Sequence, residues 1–366
     1  MTPIIIPAYE PDTRMIDLLE TMKERRLGPV IIVDDGSGDE YAPIFAQAGP
    51  YVDDLGGKIL IHEVNKGKGR ALKTAFKYVL ETYPDAVGSV TADSDGQHTA
   101  ECITSIIKAL EENPDKLIMG VRHFDTDGVP WKSRAGNKIT EAVFAYVSGI
   151  HVTDTQTGLR GIPRKFMEEL LDVEGERFEF EMQMLLESAG RYPIIEVPIK
   201  TVYDSKENHQ THFNPFADSV KIYKILGKKF GRYILASASS FIIDLVLFAL
   251  LCSFLRGKVR GYVMIATVIA RVISAVYNYL VNYKVVFESD ASHRASGAKY
   301  LVLAAAQMAV SAALVTGVTS LISVAAEAGG PALPPAGSEV AVKAVVDTIL
   351  FFVSYKLQQK YVFGRG

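Results

Sequence analysis

Asp93 and Asp95 stand one residue apart at the end of the apolar run 87–92, with Gly96 and Gln97 directly after them. Two carboxylates this close repel each other, and both stay ionised only beside a cation. No cysteine pair or histidine cluster accompanies them, so the donors on offer are hard oxygens, which suit Mg²⁺ or Mn²⁺. Mg²⁺ takes one or two carboxylates and completes its shell with phosphate oxygens and water. Asp93-Ser94-Asp95, with Gln97, therefore reads as half of a site whose other half is a diphosphate. On spacing alone, such a pair also describes an ordinary solvated turn. Its company sets it apart, because polar residues end the neighbouring apolar runs too. Tyr9 and Glu10 follow 3–7, and Asp34 and Asp35 close 30–34. A carboxylate at 34 or 35 could accept from a base N–H or a ribose hydroxyl, and Tyr9 could stack on a base. The plainer readings are an Asx turn and a sheet-edge aromatic.

These residues need a scaffold. Short apolar runs predict strands at 3–7, 30–34, 58–64, 87–92 and 117–121. Helical periodicity predicts helices at 15–25, 69–82, 100–112 and 133–147. Strands spaced by helices imply βαβ units, hence an α/β domain with a mostly parallel sheet. Ligands of such sheets sit beyond the carboxyl ends of the strands, where the acidic residues fall. No G-x-G-x-x-G turn follows the first strand. The glycine-rich loop 65–71, NKGKGRA, lacks the P-loop pattern but opens a helix after the third strand. Its backbone and Lys68 are candidates for phosphate contact; otherwise it is a tight turn with exposed lysines.

The chain has 366 residues, is 48% hydrophobic and carries a net charge of −3, which gives no reason to expect nucleic acid. Cys102 and Cys252 lie far apart, fit no metal spacing and suggest a reducing compartment. The average conceals a division. Residues 1–230 are mixed in polarity, whereas 233–255, 262–283, 300–326 and 340–361 are apolar runs, each about the length that spans a bilayer. Before them, 213–231 reads as an amphipathic basic helix that could lie at the membrane interface. Met1–Pro7 has no basic n-region and meets proline too soon for a cleavable signal, so the first half is expected on the cytoplasmic side. Lys and Arg before the first run, between the second and third, and after the fourth support four spans with both ends inside. The short loop 256–260, with Arg256, Lys258 and Arg260, runs against that bias. Asp244, Arg271, Lys343 and Asp347 fall within the spans, where charges face one another or a polar cavity.

Taken in order, IPAYEPD, VIIVDDGSGD, NKGKGRALKTAF and TADSDGQH resemble the family 2 glycosyltransferases of GT-A fold. The nearest branch is similar to the polyprenyl-phosphate glycosyltransferases, such as dolichol-phosphate mannose synthase, over residues 3 to about 205. The segments GRYILASASSFIIDLVLF and ISAVYNYLVNYKVVF resemble the GtrA-like four-helix membrane domain. The resemblance implies a GT-A domain at 1–212, the juxtamembrane helix at 213–231 and a four-span domain at 232–366. It places Pro7, Ala8, Tyr9, Glu10, Asp34, Asp35, Lys68, Asp93 and Ser94 around the donor nucleotide. The metal falls to Asp93, Asp95 and Gln97. Catalytic roles fall to Asp95, Arg122 and Arg134. Arg122, Arg134 and Asn137 go with the acceptor phosphate, although Ala135 to Lys138 stand where the family often has a serine. TDTQTGLRG (153–161) matches the acceptor-side loop and FEFEMQML the helix after it.

The implied activity is metal-dependent, inverting transfer of a sugar, UDP-hexose being the expected donor, to undecaprenyl or another polyprenyl phosphate. Self-association into a homo-oligomer is left open. Two other readings stand beside this one. A processive polysaccharide synthase would carry Q-x-x-R-W, but the single tryptophan, Trp131, lies in VPWKS. A lipid-linked sugar transporter or scaffold with an inactive transferase domain would have no use for intact Asp93, Asp95, Asp35 and both arginines.

Overall fold

The computed structural model describes residues 1–122, 141–199, 217–255, 258–260, 262–287, 289, 291–327 and 335–364. The chain divides into two compact units, Met1–Leu226 and Gly227–Gly366.

The first unit is built on a seven-stranded sheet in the order β3-β2-β1-β4-β6-β5-β7. β1 (Ile4–Ala8), β2 (Val30–Asp34), β3 (Lys58–Ile61), β4 (Gly88–Thr91) and β5 (Leu117–Arg122) occupy the five apolar runs. In β1 and β2 the residues Ile4, Ile5, Ile6 and Val30 to Val33 are all fully buried. Parallel strands covered on both faces take continuous apolar sequence of this kind. The helices α1 (Thr13–Glu24), α2 (Ala42–Asp54), α3 (Lys68–Thr82) and α4 (Ala100–Glu112) connect them. Asp12 caps α1 through the Arg14 N–H, and the Thr99 hydroxyl accepts from Cys102 N–H at the start of α4. Residues 141–148 are helical, and the first part of the helix expected at 133–147 lies outside the described residues.

β6 (Arg160–Pro163) and β7 (Ile194–Ile199) were not anticipated. β6 runs antiparallel to both of its neighbours, β4 and β5. The loop entering β6, rather than the one leaving it, therefore lies at the carboxyl edge of the parallel strands. β7 is an edge strand, parallel to β5, and tolerates Pro198 for that reason. Two more helices, α5 (Arg164–Leu170) and α6 (Glu179–Ser188), complete the layer. β1 lies between β2 and β4, so the order of strands reverses there and opens a crevice at the carboxyl ends.

The helix α7 (Ala217–Leu255) is continuous where two elements, at 213–231 and 233–255, were expected. It is followed by α8 (Tyr262–Val281), α9 (His293–Glu327) and α10 (Pro335–Leu357). Among the described residues one stretch, Phe230–Leu255, is long and apolar enough to cross a bilayer. The second unit reverses the usual distribution of polarity. Leu235, Phe241, Leu250, Leu301, Val302 and Met308 are exposed, while its amides and hydroxyls face inward. Gln358 donates to Tyr233 Oη (3.2 Å) and Ser354 Oγ (2.9 Å), and Tyr300 Oη donates to Asn278 Oδ1 (2.9 Å). Asp244 meets Arg271 at 3.5 Å and accepts from Ser274 Oγ at 3.0 Å, while Asp347 accepts from Ser311 Oγ at 2.6 Å. The α8 and α10 helices end alike, each widening into a π turn, Asn282–Val286 and Gln358–Val362. The turns are closed by N–H groups of Phe287 to Asn282 O (2.9 Å) and Phe363 to Gln358 O (2.8 Å). They join through Asn282 Nδ2 to Gln358 Oε1 (3.0 Å) and through stacked Phe287 and Phe363, whose ring centroids are 5.1 Å apart.

Candidate active site

Three loops of the first unit converge on Asp93. It follows β4, just beyond the point where the strand order reverses. Lys68, the first residue of α3, sets its Nζ 2.7 Å from Asp93 Oδ1 and 3.1 Å from Glu181 Oε2 on α6. The three side chains are 17%, 28% and 12% exposed, so this is a largely desolvated cluster of two carboxylates around one ammonium. His98 Nε2 lies 3.5 Å from Asp93 Oδ2. Burial favours the neutral form of Asp93, but the Lys68 ammonium and His98 overcome it and hold this carboxyl well below the usual range. Lys68 is likewise kept firmly protonated: burial opposes its charge, and Asp93 and Glu181 more than offset that opposition. Asp95 differs. Burial first, and then the charge on Asp93, push its carboxyl up, with only a backbone N–H from Gln97 to Oδ1 (3.0 Å) and more distant positive charges in its favour.

The second loop, 153–159, enters β6. Thr91 Oγ1 donates to Gly158 O (2.7 Å), fastening this loop to the end of β4. A Cβ on Gly158 would stand 2.2 Å from Asp93 Oδ2, so only glycine admits the carboxylate in its present place. Gly158→Ala is expected to displace a short side chain that Lys68 and His98 already fix. Turnover should fall roughly a hundredfold, the scale at which misplacing a reacting group by an ångström acts. Steady-state kinetics of the variant beside its melting temperature checks this, and wild-type turnover would refute the packing argument.

Asp154, fully buried on the same loop, accepts from Arg122 Nε (2.7 Å) and Nη2 (3.0 Å) at the end of β5. This bidentate geometry fixes the Arg122 fork. Arg160, the first residue of β6, is also buried, donating to Thr157 O (2.9 Å), Glu181 O (2.8 Å) and Thr155 O (3.4 Å). Burial lowers its pKa, while Glu181, Asp154 and Asp93 act in the opposite direction.

The third loop carries Lys68, and Asp35 anchors it. The buried Asp35 carboxylate accepts from Gly67 N–H (2.7 Å) and Lys66 N–H (3.0 Å) and faces His62 Nδ1 at 2.7 Å. His62 Nε2 lies 2.9 Å from Thr74 Oγ1 on α3, so this ring links β2, β3 and α3. Gly67 has φ +100° and abuts Glu176 O, a conformation and a spacing that suit glycine. Asp34 accepts from Ser37 N–H (2.9 Å), and Ser37 Oγ accepts from Glu10 N–H (2.9 Å). Glu10 adopts φ +51°, while a hydrogen bond to it raises the Tyr9 hydroxyl pKa. The loops after β1 and β2 are thereby joined beside Pro7 and Ala8. Ser94 and Gln97 are half-buried on the Asp93 turn. Arg134 and Asn137 lie outside the described residues.

The donor set is oxygen-rich, as a hard cation requires. Asp95 is a carboxylate whose charged form is disfavoured where it stands, and a divalent ion would relieve that. Among the described residues no group of three or more His, Cys, Asp or Glu gathers as a full protein cage. Two carboxylates with room for phosphate and water fit the habit of Mg²⁺. Four of the five buried side-chain polar atoms without a hydrogen-bond partner among the described residues are Asn65 Oδ1, His98 Nδ1, Thr155 Oγ1 and Glu179 Oε2. They belong to the three loops and the start of α6. His62, Asp154 and Arg160 were not singled out from sequence as site residues, and Glu179 and Glu181 were explained equally well by a surface helix face. The nearest signal was the density of charged and small polar residues in TDTQTGLRG and FEFEMQML.

Comparison with known proteins agrees with this division. The family description "Glycosyl transferase family 2" matches residues 4–171, and "GtrA/DPMS, transmembrane domain" matches 232–363. A UDP-N-acetylglucosamine–dolichyl-phosphate N-acetylglucosaminyltransferase of Methanococcus voltae is 27% identical over 215 residues, covering 55% of this chain and 85% of that protein. A dolichyl-phosphate hexose transferase of Haloferax volcanii is 28% identical over 200 residues, covering 54% and 79%. A mannosyltransferase from Pyrobaculum calidifontis, solved with GDP-Man and Mn²⁺, covers 97% of this chain and 84% of its own at 14% identity and a TM-score of 0.40, a likeness that carries no argument. Residues 4–171 thus form a glycosyl transferase family 2 domain and residues 232–363 a GtrA/DPMS transmembrane domain, and the chain is a membrane-embedded glycosyltransferase.

Proposed function

We propose that the protein transfers a sugar from a nucleotide-sugar, a UDP-hexose by family preference, to a polyprenyl phosphate, with inversion and with a divalent cation. The observation that carries this reading is the Asp93–Asp95 pair at the carboxyl edge of the sheet, with Lys68 against it. The printed names of the dolichyl-phosphate transferases support the acceptor class.

A lipid phosphate oxygen would form a bond to the anomeric carbon as the bond from that carbon to the nucleoside diphosphate breaks. A phosphate monoester with a second pKa of about 6 is mostly dianionic at pH 7 and needs no strong general base. It needs cations to hold it beside another anion. Arg122, whose guanidinium Asp154 fixes, and Arg134 meet that need, since arginine binds phosphate bidentately and stays charged. Asp93, Asp95 and the Gln97 side chain would hold the cation, which, when bound, neutralises charge developing on the leaving diphosphate. Asp34, Asp35 and Tyr9 line the nucleotide end of this assignment. We place the catalytic unit on the cytoplasmic side of a four-span domain, the side on which a nucleotide-sugar is available.

The test is incubation of the purified full-length protein, in lipid, with a panel of labelled nucleotide-sugars and undecaprenyl or dolichyl phosphate. A lipid-phosphate-linked sugar that disappears with EDTA and returns with Mg²⁺ or Mn²⁺ is the expected result. No lipid product from any donor would favour the transporter or scaffold. Arg134→Ala is expected to raise the acceptor KM about tenfold, with little change in the donor KM, on loss of one charge-assisted phosphate contact. The reverse pattern would put Arg134 on the nucleotide.

A further inference from the structure

We propose that Lys68 is a resident counter-ion of the Asp93 carboxylate that competes with the divalent cation for it, and that Glu181 is the second carboxylate that takes Lys68 when the cation loads. The proposal rests on the reading that Asp93 and Asp95 hold that ion.

Lys68 Nζ sits between two carboxylates, 2.7 Å from Asp93 Oδ1 and 3.1 Å from Glu181 Oε2. Its position is fixed from below. The preceding backbone, Lys66 and Gly67, is tied to Asp35, and Asp35 faces His62, which reaches Thr74 on the same helix. The root of the Lys68 side chain is therefore set by the fold, and its ammonium is held by the two carboxylates it touches. A divalent ion at the Asp93–Asp95 pair would bring like charges together in a part-buried place, where their repulsion is far stronger than in water. Asp93 cannot serve both cations fully. Glu181 gives Lys68 a carboxylate it already touches, so the ammonium can shift its weight without entering solvent.

Two consequences follow for an ion offered alone. Lys68 holds its affinity down, because the ion must draw Asp93 away from an ammonium in place. Glu181 holds its affinity up, because it keeps Lys68 partly occupied. A nucleotide diphosphate supplies Lys68 with further negative charge, so ion and donor load together.

The experiment measures Mn²⁺ binding to the full-length protein in nanodiscs from the electron paramagnetic resonance of free Mn²⁺, with and without UDP. Without UDP, Lys68→Met is expected to bind Mn²⁺ about tenfold more tightly than wild type, and Lys68→Arg, which keeps the charge, to resemble wild type. Glu181→Gln should bind the ion several-fold more weakly than wild type. Equal affinities for Lys68→Met and wild type would overturn the proposal. If Lys68→Met does not fold, Glu181→Gln decides: weaker binding supports the competition, and unchanged binding overturns it. Asp95→Ala with UDP separates the two levels. If it loses the ion while the Lys68 and Glu181 variants match wild type, the competition fails and the metal assignment stands. If Asp95→Ala keeps the ion, the metal assignment fails and the proposal with it.

Discussion

Asp95→Ala is expected to abolish sugar transfer while leaving folding and membrane insertion intact. The two halves of that expectation have one physical source. Asp95 is held at the mouth of the crevice with its charged form disfavoured, first by burial and then by Asp93. In the absence of a cation it contributes little to stability, and its removal relieves a like-charge contact. Its melting temperature should stay level or rise slightly. On the proposed mechanism the same carboxylate, with donor present, would share the grip on the ion with Asp93 and Gln97, and losing a charge that stabilises a departing diphosphate costs several kcal/mol of barrier, or about a thousandfold in rate or more. Radiolabel transfer to extracted lipid, measured beside thermal unfolding, checks both. Retained turnover would remove the cation from the mechanism. Lost turnover accompanied by a fallen melting temperature would make Asp95 a structural residue instead.

Arg160→Met carries the opposite signature. The side chain keeps much of its volume, but the guanidinium that donates to the carbonyls of Thr157, Glu181 and Thr155 disappears from a fully buried place. Each carbonyl left without a donor costs about 1–3 kcal/mol, and the positive charge facing Asp93, Asp154 and Glu181 is lost with them. Relief of the burial cost of one charge offsets part of this. A net loss of about 3 kcal/mol, or roughly 10 °C in melting temperature, is expected for a unit of this size. A shift within about 2 °C would show that these hydrogen bonds are replaceable, for example by water. Lys at 160 would keep the charge without the fork and should recover only part of the loss.

The legible parts of this chain were those with a local cause. β1 and β2 are apolar runs because both faces of a parallel strand are covered, β4 is a short run of small buried residues, and the acidic residues after these three strands announced the crevice. β6 escaped because Arg160-Gly161-Ile162-Pro163 has no apolar period of its own, its arginine being satisfied by carbonyls of Thr155, Thr157 and Glu181. α2 escaped because Gly49 and Pro50 interrupt it and it buries little beyond Ala48 and Val52. The site divides in the same way. Asp93 and Asp95 declare themselves by spacing, whereas Asp154 acquires its meaning only from Arg122, 32 residues away. Asp35 also anchors the Lys68 loop, a second task that the sequence does not reveal because Gly67, Lys66 and His62 converge on it only in the fold.

The matching ends of α8 and α10 have a mechanical consequence. Aligned on their π turns, NYLVNYKVVF (278–287) and SYKLQQKYVF (354–363) superpose Tyr279 on Tyr355, Lys284 on Lys360, Val286 on Val362 and Phe287 on Phe363. One hairpin, α7 with α8, thus terminates as the other, α9 with α10, does, and the two endings grip each other through an amide and a stacked ring. Each ending is thus the other's seat, so a substitution at Asn282 or Phe287 is felt at the end of α10 as much as at its own helix, and the reverse holds for Gln358 and Phe363.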